Sequence, residues 1–187
     1  MTIVLFNTFI FSIWYNKKVI QQSGEKMEEN MEYVIREILE EEYNLLEEFL
    51  YEAIFVPEGE EAPPKSIISK PELQVYLTDF GRQKDDIGLV AEAEGKVVGA
   101  VWVRIMDDYG HVDDSTPSFA ISLYKEYRGF GIGTAMMEEM LRILKQRGYK
   151  QASLAVQKAN YAVKMYRKVG FKTVDENEEE YIMVCPL

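Results

Sequence analysis

An apolar hexapeptide runs into a glycine-rich turn near the middle of the chain, and that junction constrains the fold more than any other stretch. Phe119-Ala120-Ile121-Ser122-Leu123-Tyr124 reads as a buried strand. After Lys125-Glu126-Tyr127 comes Arg128-Gly129-Phe130-Gly131-Ile132-Gly133-Thr134, which opens a helix continuing to Arg147. Glycines at alternate positions let backbone N–H groups turn toward one concave side, because no Cβ blocks the approach. The helix adds its unpaired first N–H donors and the positive end of its dipole. Strand, turn and helix N-terminus together form a cradle suited to a pyrophosphate.

Two familiar phosphate loops do not fit. A P-loop requires Gly-Lys-Ser/Thr after a four-residue gap, and no such lysine follows. The dinucleotide fingerprint requires a glycine three places after its second glycine. Thr134 stands there counted from Gly131, and Met136 counted from Gly133. What Arg128, Gly131 and Gly133 do satisfy is the pattern Arg/Gln-x-x-Gly-x-Gly/Ala.

The helix over this stretch places Ile132, Met136, Met140, Ile143 and Leu144 on one face, with Gly148 beyond its end. Ala152–Val156 is the next strand, so strand, helix and strand make one right-handed crossover between parallel neighbours. A helix over Asn160–Val169 and a hairpin of Lys172–Val174 with Glu180–Val184 complete the chain. Upstream, Tyr33–Ile38 reads as a strand and Glu41–Phe55 as an amphipathic helix. A proline-rich loop follows, then a helix from Pro71 to Phe80 closed by Gly81. Ile87–Glu94 and Lys96–Met106 form a hairpin about Glu94-Gly95, with Gly99 marking a bulge or a close approach.

The 187 residues suffice for one domain, and 47% hydrophobic residues with 12% aromatics require a packed core. One cysteine, Cys185, and one histidine, His111, leave no disulfide, Cys-x-x-Cys or His-rich metal site. We expect a cytoplasmic protein without metal. Met1–Tyr15 is apolar but short for a membrane span, so residues 1–26 are expected to be an appended segment and 27–187 the domain; a peripheral anchor is the alternative. The net charge of −11 disfavours nucleic acid. It is unevenly divided: residues 1–118 hold 24 acids against 10 bases, and residues 119–187 hold 8 against 11. That split suits an anionic cofactor on the second half and a cationic partner on the first; solubility alone is the plainer explanation.

Asn160-x-Ala162, Tyr166 and Gly170-Phe171 follow the glycine loop at a second set of spacings. With the loop and the element order, they make the chain resemble the GNAT superfamily of acetyl-CoA-dependent N-acetyltransferases from about Tyr33 onward; Met165 stands where the family usually has leucine. The resemblance implies an α/β (α+β) fold: a mixed, mostly antiparallel sheet, helices on both faces, and a cofactor cleft splayed between Phe119–Tyr124 and Ala152–Val156. It implies acetyl-CoA as co-substrate, held by Ser122, Leu123, the Arg128–Thr134 loop (Arg128, Gly129, Phe130, Gly131, Ile132, Gly133, Thr134), Asn160 and Tyr166. Tyr166 would serve as general acid toward the departing thiolate and a backbone N–H near Leu123 as the oxyanion donor. Asn160 is equally an N-cap, and Arg128 equally a solvated arginine.

The general base has no counterpart on the cofactor strand, where Phe119, Ala120, Ile121 and Ser122 stand. His111, Asp113 and Asp114, just upstream, are the candidates. Cys185 is expected to pack. The acceptor is expected to be a primary amine, most simply a small cationic molecule. Peptide or protein amines, or a CoA-binding sensor with little catalysis, are the alternatives, and a homodimer is open.

Overall fold

Seven strands make one sheet in the order β1-β2-β3-β4-β5-β7-β6. This is a computed structural model, describing residues 31–187 except residue 58. The expectations for residues 1–26 lie outside the described residues. The strands are β1 Tyr33–Glu37, β2 Ile87–Ala93, β3 Lys96–Arg104, β4 Ser118–Leu123, β5 Gln151–Gln157, β6 Lys172–Glu176 and β7 Glu180–Pro186. Every neighbouring pair is antiparallel except β4 and β5.

Helices α1 (Leu45–Ala53) and α2 (Pro71–Gln74) lie on one face of the sheet. Helices α3 (Ile132–Gln146) and α4 (Ala162–Lys168) lie on the other. The period-two alternation of β3 serves both faces: Val101 and Val103 meet Met136 and Met140 of α3, while Ala100 and Trp102 meet Leu46 and Phe49 of α1. Trp102 and Phe49 are almost fully buried, and each such side chain contributes about 1.5–3 kcal/mol by leaving water. α3 is amphipathic as its spacing predicts, although Ile143 is only partly buried and Met137 and Leu141 widen the stripe.

Two helices are shorter than the periodicity predicts. The stretch before α1 is a 3-10 turn, Glu40–Glu42, because Arg36 grips the Glu42 carboxylate with two 2.7 Å bonds and Glu42 accepts the Leu39 N–H at 2.9 Å. The helix predicted from Pro71 to Phe80 stops at Gln74. Buried donors take the carbonyls that would continue it: Arg104 Nη1 donates to Val75 and Thr78, and Trp102 Nε1 to Tyr76. Arg104 also pairs with Asp86 at 3.1 Å, both side chains being essentially inaccessible. Tertiary donors here outcompete local helix bonds.

At Gly99 both readings hold. Ala91 faces Gly99 while Glu92 faces Val97, so Val98 is an extra residue in β3. A Cβ on Gly99 would also lie 2.7 Å from Leu123 Cδ2 and 2.9 Å from the Ser122 carbonyl oxygen. The bulge therefore seats the end of β4 tightly against β3.

Candidate active site

β4 and β5 touch through one register pair, Ser118 with Ser153, reinforced by the Ser153 N–H donating to the Pro117 carbonyl at 3.0 Å. Beyond it the strands part. Leu123 faces Gly99 across β3, and Tyr124 N–H donates to Val98 at 3.0 Å. In an antiparallel ladder that pattern makes Leu123–Gly99 a non-hydrogen-bonded pair, so the Leu123 N–H and C=O point away from β3 and into the opening. The Leu123 N–H is thereby presented as for an added strand, while its carbonyl accepts the Arg128 Nε hydrogen bond at 2.9 Å.

The opening is continuous with a cleft of about 680 Å³. Its floor and one side are Ile121, Ser122, Leu123, Gly129, Gly131, Gly133 and Thr134. Gly129 and Gly131 have φ of 88° and 81°, and a Cβ on either would meet nothing within 4 Å. The space beside these amides is open, and a phosphate group fits it. Gly131 caps α3, its carbonyl accepting the Ala135 N–H at 3.0 Å, so the preceding N–H groups of that helix are left to serve a ligand.

Asn160, Tyr161, Met165 and Tyr166 form the opposite side. Asn160 Oδ1 accepts the Ala162 N–H at 2.9 Å, so the residue caps the first turn of α4 while facing the cleft. Tyr166 is 8% exposed and packs edge-on to Phe171 at 6.1 Å. Burial, and secondarily Tyr161, raise its phenol above the ordinary range. The hydroxyl stays protonated at neutral pH, able to donate.

Several residues stand differently from the sequence reading. Phe130 is 42% exposed and Ile132 is in the core, and neither lines the cleft. Ser122 reaches it through the backbone only, since its hydroxyl donates to the Phe49 carbonyl at 2.6 Å. The Arg128 guanidinium turns back: Nε donates to the Leu123 carbonyl at 2.9 Å, and Nη2 is 3.5 Å from Glu52. It braces the end of β4 against α1 rather than reaching toward the phosphate cradle. His111 and Asp114 are not cleft residues. His111 Nδ1 is 3.0 Å from the Met106 carbonyl, and its Nε2 is 3.8 Å from Asp114, whose side chain is fully exposed. Asp113 is engaged by Ser115, Thr116 and Gln151, and those hydrogen bonds hold its carboxyl below the ordinary range. Cys185 is buried with its thiol pushed up by burial.

The wall from Tyr51 to Val56, with Ala62 and Pro63, is a part of the site that periodicity did not reveal. Tyr51 donates to the Pro63 carbonyl at 2.6 Å, tying the loop after α1 to the helix. Glu52 lies in this wall, and neighbouring Glu48 helps push the Tyr124 phenol to about 12, after burial.

Residues 35–171 match the model of the Acetyltransferase (GNAT) family. An N-alpha-acetyltransferase of Sulfurisphaera tokodaii is 30% identical over 60% of this chain and 76% of that protein. A mycothiol acetyltransferase of Saccharomonospora viridis is 34% identical over 49% of this chain, which spans 31% of that protein. Among solved structures, the PaiA N-acetyltransferase of Thermoplasma acidophilum, in complex with coenzyme A, superposes with a TM-score of 0.63. It is 23% identical, over 84% of this chain and all of that one.

Proposed function

Because the chain belongs to the GNAT acetyltransferase family, we propose that it moves the acetyl group of acetyl-CoA directly onto a primary amine of a small cationic molecule. The observation that carries this is the parting of β4 from β5 after a single bridge, which turns the Leu123 N–H into a cleft shared with Tyr166 and the glycine cradle. Acetyl-CoA supplies an activated thioester when bound. The Gly129–Thr134 amides hold its pyrophosphate, and the Leu123 N–H donates to the carbonyl oxygen as negative charge develops there. Tyr166 donates a hydrogen bond, and then its proton, to the departing sulfur, whose thiol has an ordinary pKa of about 8.5. The amine's second proton restores the phenol.

The cationic acceptor is supported by charge: residues 27–81 hold 15 acids against Arg36, Lys65 and Lys70, and Glu52 of that segment lines the cleft. A peptide N-terminus is the second reading, favoured by the relative from Sulfurisphaera tokodaii that is named for that activity. The cytoplasmic location suggested by the single cysteine is part of the proposal.

A thiol-release assay with acetyl-CoA and a panel of polyamines, aminoglycosides, amino acids and peptides tests it. Turnover with a small di- or polyamine supports the proposal, and preference for a peptide N-terminus favours the second reading. Acetyl-CoA binding with no turnover on the whole panel would leave a CoA-binding sensor.

A further inference from the structure

Transfer to a small cationic molecule, the reading on which this inference rests, requires something in the cleft that holds a positive charge. Among the described residues that line it, Glu52 is the one carboxylate. Its place is fixed from two sides. The Ser122 hydroxyl donates to the Phe49 carbonyl at 2.6 Å, which seats α1 on β4, and Glu52 follows Phe49 by one helical turn. Arg128 Nε donates to the Leu123 carbonyl at 2.9 Å, while its Nη2 is 3.5 Å from Glu52 Oε2. One guanidinium therefore separates the Glu52 carboxylate from the strand residue whose N–H serves the thioester carbonyl in that reading.

That ion pair leaves the carboxylate open to a ligand. At 3.5 Å it is longer than the about 2.7–2.9 Å of a charge-assisted bond. Each side chain is 33% exposed, a setting in which such pairs contribute little. The surroundings favour a cation. Glu52 is the penultimate residue of α1, whose last turn carries no basic residue, so the negative end of the helix dipole is unanswered within the helix. Beyond it, Ala53, Ile54, Phe55, Val56, Ala62 and Pro63 line the same cleft without a charge. The Tyr51 bond to the Pro63 carbonyl holds that stretch to the helix. An anion beside an apolar wall suits an ammonium carried on a hydrocarbon chain. The other charged residues of the lining, Lys125 and Arg128, are cations that lie between β4 and the glycine cradle, toward the anionic cofactor.

We propose that Glu52 holds a second ammonium of the acceptor, the one that is not acetylated, and so selects aliphatic diamines and polyamines over monoamines. The hydrocarbon linker lies along the apolar wall after α1, and the other amine is directed toward the end of β4, where the thioester is held. Arg128 keeps its bond to the Leu123 carbonyl and yields its long contact with Glu52 to the ligand. Specificity follows from charge. With Glu52 neutralised, the charged residues left in the lining are both cations, and a dication is repelled more strongly than a monocation.

The test measures kcat/KM at saturating acetyl-CoA for a series of α,ω-diaminoalkanes and for the 1-aminoalkanes of equal chain length. It uses the full chain as wild type, Glu52→Gln and Glu52→Asp. Wild type is expected to favour the diamines. Glu52→Gln should lower their kcat/KM roughly 10- to 100-fold, mainly through KM, the range for losing a hydrogen bond to a charged group. The loss for the matching monoamines should be several-fold smaller, and Glu52→Asp, which keeps the charge, should restore most of the preference. Equal losses for diamines and monoamines, or a fall in acetyl-CoA affinity by calorimetry that accounts for the loss, would show that Glu52 only braces Arg128 and overturn the assignment. Should Glu52→Gln fail to fold, the wild-type preference decides. Monoamines accepted as well as diamines, or a peptide N-terminus preferred to both, overturns the role of Glu52 while leaving acetyl transfer intact. Failure of wild type to acetylate any amine would overturn the underlying function and this role with it.

Discussion

Tyr166 concentrates the chemistry at the scale of a single residue. Its ring is held by Phe171 and Val163, so replacing it with Phe keeps the packing and deletes only the hydroxyl. Tyr166→Phe is expected to lower kcat about 10²- to 10⁴-fold with acetyl-CoA affinity nearly unchanged, as steady-state kinetics and calorimetry would show. Burial raises the phenol, so the proton is bound at every pH below its ordinary value of about 10 and is lost only above it. The wild-type rate should therefore show no alkaline fall attributable to this group below about pH 10. Arg128 shows where reading by residue type stopped short. The motif places it correctly beside the cradle, yet its guanidinium seeks the nearest unpaired carbonyl and carboxylate, Leu123 and Glu52, and neither neighbour is visible from the loop's own sequence.

Elements were legible wherever local chemistry decides them. The two-residue turn at Glu94-Gly95 adopts φ of 52° and 73°, the left-handed pair that a tight hairpin requires, and Gly148 closes the long helix at φ 87°. Both early helices are shorter than predicted, and the second most of all, ended by the buried Arg104 and Trp102 donors of a strand still to come in the chain. That arrangement predicts a large cost for Asp86→Asn, which strands the Arg104 charge in the core. Chemical denaturation should show a loss of about 3–5 kcal/mol, the range for breaking a buried pair from one side. Gly99 links β3 to the site. Gly99→Val would drive a methyl into the Ser122 carbonyl and Leu123, so a loss of about 1–3 kcal/mol together with weaker acetyl-CoA binding is expected. Full retention of both would show that β4 is not braced there.

The whole molecule divides its labour across the sheet. α3 and α4 carry the basic half of the chain and the glycine cradle, while α1 and the loops after it carry the acidic half and the outer wall of the cleft. The sheet joins them through the one parallel junction, and its failure to zip beyond Ser118 and Ser153 creates the site. The most direct measurement is calorimetric titration of acetyl-CoA into wild type and Gly131→Trp, with thermal melting to confirm that both are folded. Gly131 holds a left-handed φ with open space where a side chain would project, so tryptophan both strains the turn and fills the cradle. Saturable 1:1 binding by wild type, lost in a folded variant, is the predicted result. Equal binding by both proteins, or none by wild type, would contradict a pyrophosphate site at the start of α3.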